Sequence, residues 1–203
     1  MKNLVLAVVV LAMIALVASP AGAQNKMSLS IGPDIMLPLG TFGDAYSIGF
    51  GGTARGQYDF TPMISAGVEA GYFTFSAKSV AAGFTAPSFH AVPVRLFGKY
   101  YFMPEGTGAR FYGMLELGFW FSSVTVTTPG FAGITIPGVG TIGAVPSQSV
   151  SSSETDFNYV PAVGVEIPAG KMKVDVSVRY DGVATTGSST SLIGARVGLN
   201  FPI

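Results

Sequence analysis

Apolar and polar residues alternate with a period of two through most of this chain. The clearest run is 190–201 (TSLIGARVGLNF). Ile193, Ala195, Val197, Leu199 and Phe201 share one parity, and the remaining positions carry Ser191, Leu192, Gly194, Arg196, Gly198 and Asn200. Successive side chains of a strand point to opposite faces, so such a run predicts a strand with one apolar and one polar face. The same reading gives eight segments: 27–38, 48–60, 64–76, 89–102, 110–127, 156–168, 171–184 and 190–201. Short links at 61–63, 103–109 and 169–170 alternate with longer ones near 39–47, 77–88, 128–155 and 185–189. This is the rhythm of an up-and-down barrel with short turns on one side of a membrane and longer loops on the other.

The position of the aromatics separates a membrane wall from a soluble sheet. On the apolar parity the strand centres carry aliphatic or small residues, such as Ala66, Val68, Val94, Leu96, Leu115, Leu117, Val163, Val165, Val174 and Val176. Toward the strand ends the same parity carries Phe50, Tyr58, Phe60, Tyr72, Tyr100, Phe102, Phe111, Phe119, Phe121, Phe157, Tyr159, Tyr180 and Phe201. Two aromatic bands around an aliphatic waist match the interfacial girdles of membrane barrels. The other parity holds Asp34, Arg55, Asp59, Glu69, Arg95, Lys99, Glu116, Glu166, Lys173, Asp175, Arg179 and Arg196. An Arg or Lys facing lipid at mid-bilayer costs about 2–4 kcal/mol, so this segregation predicts that the charges line a lumen and pair there. A tight link at 61–63 would set Arg55 across from Glu69, and a turn at 169–170 would set Glu166 across from Lys173. Pro33, Pro93 and Pro161 fall inside strands; in a wall without edges they are expected at bulges or at the outer rim.

Composition narrows the class. Of 203 residues, 49% are hydrophobic and only 11% charged, against about 25% charged in soluble domains. The formal net charge is zero, so no basic footprint points to nucleic acid. Cysteine is absent, which removes disulfides, thiolate metal sites and lipidated cysteine. Residues 1–23 read as a cleaved signal peptide: Lys2, an apolar run over 4–17, then the small residues SPAGA at 19–23. The run falls short of the roughly 20 residues a spanning helix needs. Residues 24–203 then form one domain, an all-β, eight-stranded antiparallel transmembrane β-barrel.

Chemistry-bearing residues are few. His90 stands on the outward parity with Val92, Val94 and Leu96, and Ser88 shares its side without an accompanying acid. A rim histidine at headgroup level is therefore favoured over a lipid-modifying Ser/His pair. One His and no Cys give no basis for a metal site, and no cofactor is expected. The glycines Gly49, Gly51 and Gly52 lack the strand-to-helix setting of a phosphate loop. Residues 127–153 (TTPGFAGITIPGVGTIGAVPSQSVSSS) carry no charge. Their first half is apolar, with Phe131, Ile134, Ile136, Val139, Ile142 and Val145. Placed as an outer loop, this segment is either an extension over the barrel mouth or a contact surface for adhesion or partner binding.

The runs GVEAGYF at 67–73, VPVRLFGKYYF at 92–102 and GARVGLNF at 194–201, in that order behind a signal, resemble the small outer-membrane barrels of the OmpA/OmpX type, the porin-like outer membrane protein beta-barrel domain group. The resemblance covers the whole mature chain and implies a monomer in outer-membrane lipid with a structural or narrow porin-like role. It also implies assembly through the C-terminal strand, whose terminal aromatic the barrel-assembly machinery reads in the family; here Pro202 and Ile203 follow Phe201. No peptidoglycan-binding domain is expected.

Overall fold

The computed structural model describes residues 26–78, 87–104, 106, 108–128, 130, 133–136, 140–143, 146–185 and 188–203. The expected signal peptide at 1–23 lies outside them. Eight strands close into one barrel: β1 (Met27–Leu39), β2 (Gly49–Asp59), β3 (Ile64–Ser76), β4 (Ser88–Tyr101), β5 (Arg110–Thr128), β8 (Gln148–Ala169), β9 (Met172–Thr185) and β10 (Ser188–Pro202). Each pairs antiparallel with its neighbour in sequence, and β1 pairs with β10 to seal the wall. A short helix α1 (Gly40–Ala45) follows β1, and a separate two-stranded hairpin, β6 (Ile134–Ile136) and β7 (Gly140–Ile142), lies between β5 and β8. Both barrel termini lie at the same end, with Ser28 opposite Pro202.

The alternation of the sequence becomes the two faces of the wall. Ile31, Ile35, Leu96, Leu115, Val163, Val178 and Val197 are exposed, whereas their neighbours Ser30, Asp34, Arg95, Met114, Ala162, Arg179 and Arg196 are buried. At the terminus-bearing end the outer face carries Tyr58, Phe60, Tyr100, Phe102 and Phe111; at the other end it carries Phe50, Tyr72, Phe119, Phe157 and Tyr180. Water does not reward apolar side chains on the outside of a closed sheet, but lipid does.

Four expectations change, three of them around β8 and one at the prolines. The start of the sixth expected segment moves most: the strand expected at 156 begins at Gln148, and β5 pairs with it without a break from Arg110↔Glu166 to Thr128↔Gln148. Roughly 9–11 residues cross a bilayer, so the β5–β8 ribbon of 19 and 22 residues projects past the outer girdle. Residues 148–154 are exposed; with water on both faces the sequence there has no apolar parity to display. The segment expected as a loop over 128–155 is thus ladder at its base. The turn after β8 is also displaced. Ala169 pairs with Met172, so Gly170 and Lys171 form the turn, with Gly170 at φ 68°, the left-handed region that a two-residue hairpin needs at its first position.

The prolines sit neither at bulges nor only at the rim. Opposite β10 the ladder omits Gly32 and Pro33, opposite β3 it omits Val92 and Pro93, and opposite β9 it omits Val160 and Pro161. Pairing resumes in the same register beyond each gap, so no residue is inserted. On its other side each proline stands in an unbroken ladder, opposite Gly52, Trp120 and Leu115 respectively. A missing N–H is tolerated because one seam lapses locally while the other holds.

Candidate functional site

The chemistry of the chain is concentrated inside the wall, in three layers. The middle layer is built from strands that present a charge inward at similar height. Arg55 of β2 and Glu69 of β3 are register partners and form a salt bridge through Arg55 Nε. Arg55 Nη2 also donates to Glu116 Oε1 at 3.0 Å. Arg95 of β4 donates to Glu69 Oε1 at 2.9 Å and Glu116 Oε2 at 3.0 Å through Nη1, to Asp181 Oδ1 at 2.5 Å through Nη2, and to Asn158 Oδ1 at 2.5 Å through Nε. Arg179 of β9 lies 2.9 Å from Asp34, 3.1 Å from Asp181 and 3.5 Å from Glu69. Arg196 of β10 lies 3.1 Å from Asp175 and donates to Thr53 Oγ1 at 2.7 Å and Ser30 Oγ at 2.8 Å. All of these charged side chains are at most 2% exposed, which leaves no room for a continuous column of water between them.

Toward the terminus-bearing end, Lys99 donates to Glu166 Oε1 at 2.8 Å and stands 4.1 Å from the centre of the Tyr112 ring. Tyr101 Oη donates to the same Glu166 oxygen at 2.8 Å, and Tyr112 Oη to Asp175 Oδ2 at 2.8 Å. The Arg110 guanidinium covers the Tyr101 ring at 3.7 Å. Cations held over ring faces and hydroxyls held on carboxylates close this end. Toward the other end the lumen is apolar: Met36, Phe73, Phe75, Ala91, Trp120, Val183 and Leu192 form one buried cluster. Phe42 of α1 caps it, its ring 5.5 Å from Phe75 and 5.0 Å from Phe89.

Of the twelve charges expected in the lumen, ten join this ion-pair system: Asp34, Arg55, Glu69, Arg95, Lys99, Glu116, Glu166, Asp175, Arg179 and Arg196. Asp59 forms no ion pair among the described residues; at the edge of the barrel it accepts from Gln57 Nε2 at 2.8 Å and Ser65 Oγ at 2.5 Å. Lys173 does not face Glu166. It is half-exposed and opposite Pro168, because the turn at Gly170 shifts the β8–β9 pairing by two positions and brings Asp175 across from Glu166. Sequence reasoning overlooked Asp181, Asn158, Arg110, Tyr101 and Tyr112, all on charge-bearing parities of expected strands. The uniformly polar interior also gives way to an apolar upper third, whose residues share that same parity. His90 lies on the outer side with Tyr72, whose hydroxyl is 2.8 Å from His90 Nδ1. Among the described residues there is no group of His, Cys, Asp or Glu suited to a metal ion.

A closed eight-stranded antiparallel wall, apolar outside between aromatic girdles and filled inside, defines an integral membrane β-barrel. The chain belongs to the family described as outer membrane protein beta-barrel domain, whose model matches residues 7–201. Among solved structures, Neisserial surface protein A is similar at a TM-score of 0.56 and 12% identity, over 90% of this chain and 100% of that one. The outer membrane protein OprG from Pseudomonas aeruginosa is similar at a TM-score of 0.53 and 11% identity, over 87% of this chain and 96% of that one. At these identities the likeness is one of fold. No curated protein matches the chain in sequence.

Proposed function

We propose that this chain is a resident wall protein of the outer membrane whose lumen is closed, with a structural role or at most a very narrow pore, and with no enzymatic role. The observation that carries this reading is the central layer in which Arg55, Arg95 and Arg179 share Glu69, with Glu116 and Asp181 completing the contacts, all buried. An eight-stranded barrel has an interior that side chains can fill, unlike the aqueous channel of barrels with 16–18 strands. The expected location follows from the family and from the apolar outer face. The lone histidine is engaged by Tyr72 on the lipid side, away from the lumenal acids, which disfavours a hydrolase or acyltransferase site. Proteoliposomes carrying the refolded chain should not swell in isosmotic solutions of small sugars; swelling at rates comparable with a porin of 16 strands would refute a closed lumen.

The β5–β8 ribbon supports a second reading. Its outer residues 148–154 stand clear of the outer girdle, and an apolar hairpin such as β6–β7, joined to it in sequence, would there meet another molecule rather than lipid. Removal of 130–147 should then abolish attachment of cells to a partner surface while the barrel still folds; unaltered attachment would end this reading.

A further inference from the structure

Above the apolar cluster, at the barrel end opposite the termini, the wall and the base of the β5–β8 ribbon bound a cavity of about 580 Å³, open to solvent and lined by Phe42, Phe89, Trp120, Val183, Glu154 and Asp156, with serine and threonine residues between them. Its volume lies in the range of small-molecule sites. Its floor is aromatic and aliphatic. Phe42 and Phe89 meet edge to face at 5.0 Å, and Trp120 is packed from the lumen side by Phe73 at 6.0 Å and by the Arg95 guanidinium at 5.7 Å. Asp156 is the register partner of Trp120, and Glu154 that of Ser122, so two carboxylates stand two residues apart on the inward parity of β8 beside the indole.

These two acids differ from those of the ion-pair layers: Glu154 is exposed at the base of the projecting ribbon and Asp156 is part-exposed below it. Asp34, Glu69, Glu116, Glu166, Asp175 and Asp181 each have an Arg or Lys partner. Glu154 and Asp156 form no ion pair among the described residues, and no basic side chain lines the cavity. Arg95, the nearest cation to Trp120, is engaged by Glu69, Glu116 and Asp181. A negative rim over an aromatic floor selects for positive charge carried on an apolar body, because the carboxylates attract the charge and ring faces add to it.

We propose that this cup is a binding site for a small organic cation, a quaternary ammonium or protonated amine borne on an aromatic or aliphatic group. The charge sits between Glu154 and Asp156, and the body lies on Trp120, Val183, Phe42 and Phe89. Beneath it the buried ion-pair layer blocks passage, so the site captures its ligand at the outer mouth. Binding and closure are separable: a conducting lumen would refute the closed barrel without touching the cup, and an empty cup would leave the closed barrel standing.

Trp120 is the only tryptophan in the chain, so its emission reports on the cup directly. Refolded protein in nonionic detergent is titrated with benzyltrimethylammonium, with its neutral carbon isostere neopentylbenzene, and with benzenesulfonate, following heat and Trp120 emission together. The cation should give saturable binding, about tenfold or more tighter than the isostere, with no binding of the anion. The Glu154→Gln, Asp156→Asn double variant should lose that preference while keeping the migration difference between unheated and boiled protein on a detergent gel. Unsaturable binding of the cation, or equal binding of cation and isostere by the unmodified protein, overturns the proposal whatever the variant does. A folded variant that retains the preference overturns it as well.

Discussion

Replacing Glu69 by Ala is the sharpest perturbation of the lumenal layer. The Glu69 carboxylate takes Arg55 Nε on one oxygen and Arg95 Nη1 at 2.9 Å on the other, with Arg179 Nη1 at 3.5 Å from that second oxygen. Its removal leaves three buried guanidiniums without their shared acceptor. Each keeps part of its shell: Arg55 and Arg95 retain Glu116 at 3.0 Å, and Arg179 retains Asp34 at 2.9 Å. Breaking a buried pair from one side costs about 3–5 kcal/mol, and the retained contacts place this case near the lower bound, about 3 kcal/mol. The Arg55→Ala, Glu69→Ala double variant removes a charge of each sign, so the two losses should fall short of additivity by about 2 kcal/mol. The assay is reversible denaturant unfolding of the refolded barrel in lipid or detergent, read by the emission of Trp120 on unchanged slopes. A loss for Glu69→Ala below about 1 kcal/mol, the worth of an exposed pair, together with additive losses in the cycle, would refute the dry, filled lumen.

The remaining predictions concern facing, packing and the lone histidine. Cysteines placed at Val94, Leu117 or Val176 should react with a membrane-dissolved label, and cysteines at Arg95, Glu116 or Asp175 should not; reversal on any strand would mean its register is slipped by one. Gly164→Ala would put a Cβ 2.4 Å from Tyr112 Oη and 2.7 Å from the Val176 carbonyl oxygen. Tyr112 must then leave Asp175, and the barrel should lose about 1–3 kcal/mol in the same unfolding assay. His90→Ala should leave the lipid and acyl-chain composition of expressing cells unchanged, as measured by mass spectrometry; a changed acyl profile would reopen an enzymatic role.

The wall was legible because each spanning segment combines apolar and charged residues on opposite parities, and one such contrast over several residues sets both strand and facing. Arg55 and Glu69 could be placed across from each other because the link at 61–63 is tight, with Phe60 N donating to Ile64 O at 3.0 Å. The partner of Glu166 could not be read in this way. Its cation, Lys99, reaches it from β4, two strands away around the wall, and such contacts depend on barrel diameter and side-chain length rather than on neighbouring register. The apolar upper lumen was hidden for a different reason. Phe73, Phe75, Trp120 and Leu192 occupy the charge-bearing parity, so near the outer ends both faces are apolar and the contrast that marks an interior disappears. The outer part of β8 failed in the opposite sense, since in residues 148–154 Val150 stands alone among polar residues and no apolar row forms on either face.

The closed lumen is tested most directly by the conductance of the unmodified, refolded protein in a planar lipid bilayer at high salt. With Glu69, Arg95, Glu116, Arg179 and Asp181 filling the cross-section, the account predicts no steady channel after insertion has been verified by the migration shift on heating. Stable, porin-sized openings from every inserted molecule would contradict it.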